Sequence, residues 1–268
     1  MKDNNLSDYK NWQVPNYKIS ELKKKNTKYC ICIPVLNEGD KIKKQLTRML
    51  PFSKMVDIII ADWGSTDGSM DLGFLKKMNV STLLTLQSRG KQGTQLRMAF
   101  SYALKRGYEG IIQIDGNNKD GVEAIPDFIK NLDKGFDYTQ GSRFIKGGKP
   151  VNTPFIRWFA VRFIGAPLLS FGARYWYTDI TNGFRGYSRK YLLHPEVQPF
   201  RDEFISYELN MYLTVRANQL GLKTEEIPVA RVYPPGKVPT KISFFKGNLN
   251  FLLVIIKTAF SVYNPKLG

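Results

Sequence analysis

The chain has 268 residues, 43% of them apolar and 24% charged, with a net charge of +17. This is enough for one substantial core, and it excludes a disordered, collagen-like or low-complexity chain. One histidine excludes a His-rich metal centre, and Cys30 and Cys32, two apart on an apolar run, are too far apart along a strand for a disulfide.

The first 28 residues are mostly polar, without a clear period, and read as an N-terminal arm lacking a signal-peptide core. Apolar, β-branched runs then recur at 29–35, 56–61, 82–86 and 110–114, with a weaker one at 137–141. They are continuous rather than alternating, as strands covered on both faces are. Helical patterns fill the gaps. Ile42, Leu46 and Leu50 share a face over 41–50; Leu96, Ala99, Phe100 and Ala103 over 93–106; Ile125, Phe128, Ile129 and Leu132 over 123–132. The spacing predicts βαβ crossovers and an open, mostly parallel α/β sheet of nucleotide-binding type.

The second half differs. Residues 155–171 are aromatic, basic and apolar. A helix is expected over 203–220, capped by Asp202 and closed by Gly221, followed by a strand over 225–229 and a proline-rich loop over 231–239. A last apolar helix is expected over 243–260. The domain reading is an arm (1–28), a catalytic-type domain (29–240) and a C-terminal amphipathic helix with tail (241–268). No run reaches the 18 apolar positions of a spanning helix; the best candidate, 251–256, is closed by Lys257. Trp12, Trp158 and Trp176 read as packing residues.

Positive charge is concentrated here: residues 143–191 carry 9 basic side chains and one acidic one, Asp179, and residues 229–268 carry 6 basic and no acidic ones. Such a field suits phosphates, an acidic membrane surface or nucleic acid. A plain solvated basic surface is the alternative.

In a parallel sheet, ligands bind beyond the carboxyl ends of the strands. Three polar clusters fall there: Asn37 and Glu38, the run from Asp62 to Gly68, and the run from Asp115 to Asn118. Any one of them suits an ordinary βα turn or helix cap. Three together, each with an acid at a strand end, point to a site. Asp115 is the metal-ligand candidate, since Mg²⁺ and Mn²⁺ take oxygen ligands and share phosphate oxygens.

These motifs resemble the inverting family 2 glycosyltransferases of GT-A fold, and among them the polyprenyl-phosphate (dolichyl-phosphate) sugar synthases. The family's P-x-x-N-E stands here as Pro34-Val-Leu-Asn37-Glu38 and its D-D-G-S-T-D-G as Asp62-Trp63-Gly64-Ser65-Thr66-Asp67-Gly68. Gly90-Lys91-Gln92-Gly93, Gln113-Ile-Asp115-Gly116-Asn117, Gly141-Ser142-Arg143, Asp179-Ile-Thr-Asn182-Gly183-Phe184-Arg185 and Glu226-Ile227-Pro228 follow in order, and Arg231, Gly236, Thr240 and Lys241 match the later basic motif. Trp63 and Gln113 replace acids of the pattern, leaving Asp115 as the one acid of the metal motif.

The resemblance implies a donor-nucleotide site of Pro34, Asn37, Glu38, Asp62, Lys91, Gln113 and Asp115, with Mg²⁺ or Mn²⁺ on Asp115 and Asn117. Asp115, Arg143, Arg185, Arg231 and Lys241 are the catalytic candidates, the basic groups serving phosphates. The expected substrates are a nucleotide-diphosphate sugar and a polyprenyl-phosphate lipid, at the inner face of a membrane and on its cytoplasmic side, without nucleic acid. A phosphate acceptor needs no side-chain base. A carbohydrate or protein hydroxyl would, with Asp202, Glu203 or Glu208 as candidates. An inactive transferase-like scaffold and a nucleic-acid-binding module are the competing classes.

Overall fold

The structure, a computed structural model, describes residues 9–235 and 246–266. In chain order it runs β1 (Tyr17–Glu21), β2 (Tyr29–Val35), α1 (Asp40–Met49), β3 (Asp57–Asp62), α2 (Leu72–Lys77), β4 (Val80–Leu86), α3 (Gln92–Lys105) and β5 (Gly110–Gln113). It continues with α4 (Ile125–Asp133), β6 (Tyr138–Ser142), β7 (Lys149–Val151), α5 (Phe155–Ala160), a π-turn (Val161–Gly165) and α6 (Ala166–Ala173). Next come β8 (Arg185–Ser188), α7 (Arg189–Leu192), α8 (Glu208–Gln219), β9 (Thr224–Pro228), β10 (Ala230–Val232) and α9 (Lys246–Ala259).

Eight strands form one sheet in the order β1-β4-β3-β2-β5-β8-β6-β9, and β7 pairs with β10 in a separate ribbon. The β4-β3-β2-β5 block and the β6–β9 pair are parallel; β1 and β8 run antiparallel to their neighbours. The chain winds outward from β2 through β3 to β4, then returns to place β5 on the other side of β2. That reversal opens a crevice at the carboxyl ends of β2 and β5, where ligands of open α/β sheets sit.

Strand alternation splits the core in two. Cys30, Cys32, Ile59 and Ile111 pack on the side of α3, α6 and α8; Ile31, Ile33, Ile58, Ile60 and Ile112 pack on the side of α1 and α4. Both cysteines are free and buried. Buried Gln95 of α3 donates to the carbonyls of Val35 (2.8 Å) and Ala61 (2.7 Å), tying the ends of β2 and β3 together.

Several expectations need correction. The segment read as an arm contributes β1, an edge strand joined to β4 by backbone pairing, and Trp12 stacks on Phe200 at 3.8 Å. Its polar faces gave no period because an edge strand does not need two buried ones. Helix α8 begins at Glu208, not 203, and Asp202 does not cap it: the backbone of 202–207 is turned and Tyr207 precedes the first helical turn. Part of the expected 231–239 loop is β10, which pairs with β7. Trp176 is 68% exposed rather than packed.

The continuous helical stretch Phe155–Ala173 is long and apolar enough to cross a membrane by length and composition, and less than a third of it is buried. Arg157 and Arg162 interrupt its apolar run, so the sequence shows no unbroken 18-residue apolar stretch there. Phe155 and Phe171 are each at least 70% exposed, and Ile156, Phe159 and Phe163 are exposed beside them. Gly172 lets this helix meet α9 closely: a Cβ there would stand 2.5 Å from Ala259 Cα.

Candidate active site

Two loops beyond β2 and β3 lock together. Asn37, at φ 48°, donates its N–H to Ser65 Oγ (2.9 Å) and accepts from Thr66 N–H on its Oδ1 (2.8 Å). Gly39 N–H donates to Asp67 Oδ2 at 2.7 Å. The Asp62 carboxylate is buried and accepts from Gly64 N–H, Ser65 N–H and Ser65 Oγ (2.6 Å), so it shapes the second loop from within. Burial pushes its pKa up, and those hydrogen bonds pull the other way. Glu38 pairs with Lys41 at 3.3 Å. Pro34 is the penultimate residue of β2, and Lys91 is exposed at the start of α3.

Asp115 lies two residues beyond β5 at the mouth of the crevice. Its Oδ1 accepts from Gln92 Nε2 (3.1 Å), and its Oδ2 from Arg231 Nη2 (3.2 Å) and Asn117 Nδ2 (3.4 Å). Gly183 provides the room, since a Cβ there would stand 2.7 Å from Asp115 Cγ. The two carboxylate oxygens are the cation ligands this position offers, and a hard divalent cation bound there would complete its shell with phosphate oxygens and water. Asn117 Oδ1 accepts from Lys119 N–H at 3.2 Å.

Behind Asp115 stands a cluster of cations. Arg231 Nη1 donates to both oxygens of buried Asp120 at 2.7 Å. Arg143 is buried against Asp179, with Nε to Oδ2 at 2.6 Å and Nη2 to Oδ1 at 2.8 Å. Tyr233 sits between them and is buried. Its hydroxyl accepts from Arg143 Nη1 and Arg157 Nη1, each at 3.1 Å. Burial alone would raise the Tyr233 pKa, but Arg231, Arg143 and Arg157 outweigh it and hold it below the ordinary value. Lys119 lies 5.2 Å from the Tyr233 ring, and its own pKa is lowered by burial and then by Arg231.

The structure thus brings Asp115, Asn117, Arg231 and Arg143 into one neighbourhood, with Glu38 and Asn37 on the adjacent loop. It corrects the placement of two residues. Gln113 is fully buried and accepts from Tyr187 Oη (3.2 Å), so it faces the interior rather than the crevice. Arg185 is buried, donating to Gln140 Oε1 (3.0 Å) and the Ile180 carbonyl (2.7 Å). Gln113 Nε2 and Arg185 Nη1 find no hydrogen-bond partner among the described residues. Lys241, with Gly236 and Thr240, lies outside the described residues.

Of the proposed bases, Asp202 and Glu203 are exposed; Asp202 N–H donates to Gln13 and Glu203 pairs with Arg201. Glu208 is half-buried and accepts from Ser206 N–H (2.5 Å). Its neighbour Tyr207 has its pKa raised by burial, then by Asp115, while Arg157 opposes and Glu208 adds to the rise. Ser206, which donates to Glu208, packs against Gly93, where a Cβ would stand 2.7 Å from the Ser206 carbonyl oxygen, and the preceding Gln92 donates to Asp115; this chain of contacts puts Glu208 on the Asp115 side. Sequence reasoning missed Asp120, Arg157, Tyr207 and Tyr233. A carboxylate five residues after Asp115 was the one available signal for Asp120.

No family model matches the chain. It is 26% identical over 206 residues to undecaprenyl-phosphate mannosyltransferase of Micrococcus luteus, covering 75% of this chain and 82% of that protein. It is 25% identical to polyprenol monophosphomannose synthase of Mycolicibacterium smegmatis, covering 74% of this chain and 75% of that one. Among solved structures it is similar to glucosyl-3-phosphoglycerate synthase of Mycobacterium tuberculosis bound to UDP. There the TM-score is 0.62 at 16% identity, covering 90% of this chain and 82% of that one. The same synthase with Mn²⁺, UDP-glucose and phosphoglyceric acid gives a TM-score of 0.61, again at 16% identity, over 90% of this chain and 81% of that one. The fold is therefore GT-A, and in sequence the chain is similar to a mannosyltransferase and a monophosphomannose synthase over about three quarters of its length.

Proposed function

We propose that this chain transfers a sugar, with inversion, from a nucleotide-diphosphate sugar to the phosphate of a polyprenyl lipid. One observation carries the reading. Arg157, on the exposed apolar helix Phe155–Ala173, donates to the Tyr233 hydroxyl, which also accepts from Arg143, and the Tyr233 ring lies 5.7 Å from Arg231, the arginine that donates to Asp115. The exposed apolar helix is thus linked to Asp115 through Tyr233 and Arg231, which supports an acceptor that approaches from that helix. The two polyprenyl-phosphate relatives support the same acceptor.

The Asp115 carboxylate, seated in the space that Gly183 leaves for it, offers oxygens that suit Mg²⁺ or Mn²⁺, which Asp115 would hold with Asn117 and which would offset charge on the departing diphosphate. The chain's own residues then have distinct tasks. The interlocked loops at 37–39 and 62–68 shape the nucleotide end. Arg231 supplies a fixed fork beside Asp115 for phosphate oxygens. Arg157 and Lys119 are the cations of the cluster for which no carboxylate partner is seen among the described residues, and they offer charge to an acceptor phosphate. That phosphate is already an anion, so positioning and charge compensation suffice. The exposed Phe155, Phe159 and Phe163, with Arg162 and Arg174 on the same helical stretch and its end, suit a peripheral seat on an anionic membrane face on the cytoplasmic side.

A second reading has its own support: transfer to a hydroxyl of a small phosphorylated acceptor. The solved synthase complexes carry such molecules, and of the three candidate bases Glu208 is the one linked toward Asp115, through Ser206 and the Gln92–Gly93 turn. A competition assay separates the two. Offered short-chain polyprenyl phosphate and phosphoglycerate together, the protein is expected to glycosylate the lipid, with Glu208→Gln keeping activity within about threefold. Product on phosphoglycerate alone, lost in Glu208→Gln, would establish the second reading instead.

A further inference from the structure

Asp120 has no task in the account above, yet it is the most confined carboxylate near Asp115. Its side chain is 0% exposed, and both oxygens accept from Arg231 Nη1 at 2.7 Å. The two residues also face each other across an isolated antiparallel bridge. Flanking backbone bonds fix that bridge: Gly121 N–H to the Ala230 carbonyl and Val232 N–H to the Lys119 carbonyl, each 2.8 Å. Arg231 therefore has little freedom to choose its direction. With Nη1 on Asp120, its Nη2 comes to 3.2 Å from Asp115 Oδ2.

This geometry has a consequence for cation binding. A divalent ion on Asp115 and the Arg231 guanidinium compete for the same oxygen. An arginine with Asp115 as its only anion would settle there as a two-bonded pair and resist displacement. Asp120 takes the shorter, doubled contact and leaves Asp115 a single longer one.

We propose that Asp120 is a positioning residue: it holds Arg231 back from Asp115, keeping that carboxylate available to a divalent cation while aiming Nη2 at the phosphate oxygens that share the cation. The proposal rests on the reading of Asp115 as cation ligand. A purely structural ion pair, tying 119–121 to 230–232, would change stability without altering the competition.

Mn²⁺ binding to the nucleotide-free full chain, read from the electron paramagnetic resonance of free Mn²⁺, tests it. UDP and GDP binding with Mn²⁺ is measured in parallel by calorimetry. Asp120→Asn turns the whole Arg231 charge onto Asp115, and Mn²⁺ affinity is expected to fall about fivefold or more. Asp120→Asn combined with Arg231→Met removes both charges while keeping similar volume, a change buried pairs tolerate. The double variant is expected to bind Mn²⁺ about threefold or more tighter than wild type, because the competitor is gone, and nucleoside diphosphate about tenfold weaker, because the fork is gone. Wild-type Mn²⁺ affinity in Asp120→Asn would overturn the proposal. So would a double variant that binds Mn²⁺ no tighter than wild type, since simple charge bookkeeping predicts equality. Asp115→Asn separates the premise: undiminished Mn²⁺ binding there would remove the cation reading itself, and the proposal with it.

Discussion

A Cβ on Gly183 would overlap Asp115 Oδ1 and stand 2.7 Å from its Cγ, so the glycine keeps open the space that the carboxylate fills. Gly183→Ala must push Asp115 aside or shift the 182–184 backbone. Cation-dependent binding of nucleoside diphosphate is expected to fall about tenfold or more, with a melting temperature only a few degrees lower. Calorimetry with and without Mn²⁺, beside a thermal melt, checks this. Unchanged binding would mean that Asp115 is not where the ion sits.

The Arg143–Asp179 pair lies in the interior, and Asp179 has its pKa held below the ordinary value: burial would raise it, but Arg143 outweighs burial. Removing one partner leaves a buried charge uncompensated, at a cost of about 3–5 kcal/mol. Asp179→Asn is expected to lose that much in urea unfolding at pH 7. The pair's pH-dependent contribution is present above the unfolded carboxylate range and is lost as pH falls through the lowered Asp179 value.

Glu226 behaves in the opposite sense. Burial pushes its pKa up to about 7, against bonds from Thr178 and the Asp179 N–H that pull it down. Between about pH 4.5 and 7 the unfolded chain releases this proton while the folded chain keeps it. Stability should therefore fall as pH rises through that window, by at most about 1.4 kcal/mol per pH unit, and level off above it. Glu226→Gln should flatten this slope in urea titrations at pH 5, 6, 7 and 8. An identical slope in the variant would assign the pH dependence to another group.

The exposed aromatic face makes a separate prediction. Replacing Phe155, Phe159 and Phe163 together by serine is expected to abolish flotation with anionic liposomes, while the wild-type protein floats and is partly released by high salt. Undiminished flotation of the triple variant would move the membrane contact elsewhere. The serine substitutions should not unfold the protein, because these side chains are exposed.

What the sequence revealed depended on burial. Strand β2 is legible to the residue, because both its faces are covered and seven consecutive positions are buried. Strand β8 is not: Arg185-Gly186-Tyr187-Ser188 has no apolar pattern, and it is held by pairing with β5 and β6 on either side. The same distinction applies at the site. Asp115 and Asn117 were visible at a strand end, where chemistry is expected. Asp120 and Tyr233 were not, since each is defined by partners more than 70 residues away in sequence: Arg231 for Asp120, Arg143 and Arg157 for Tyr233. Gln113 was misplaced because its motif match says nothing of the direction in which its side chain points.

The most direct measurement is the product itself. The protein is incubated with UDP-, GDP- and dTDP-sugars, Mn²⁺ and short-chain polyprenyl phosphate, and the product is identified by mass and by the anomeric coupling in its NMR spectrum. The account predicts a single sugar joined to the lipid phosphate, β-linked from an α-linked donor, formed only with divalent cation and lost in Asp115→Ala. An α-linked product, or no sugar transferred to the lipid from any of the three donor classes, would contradict it.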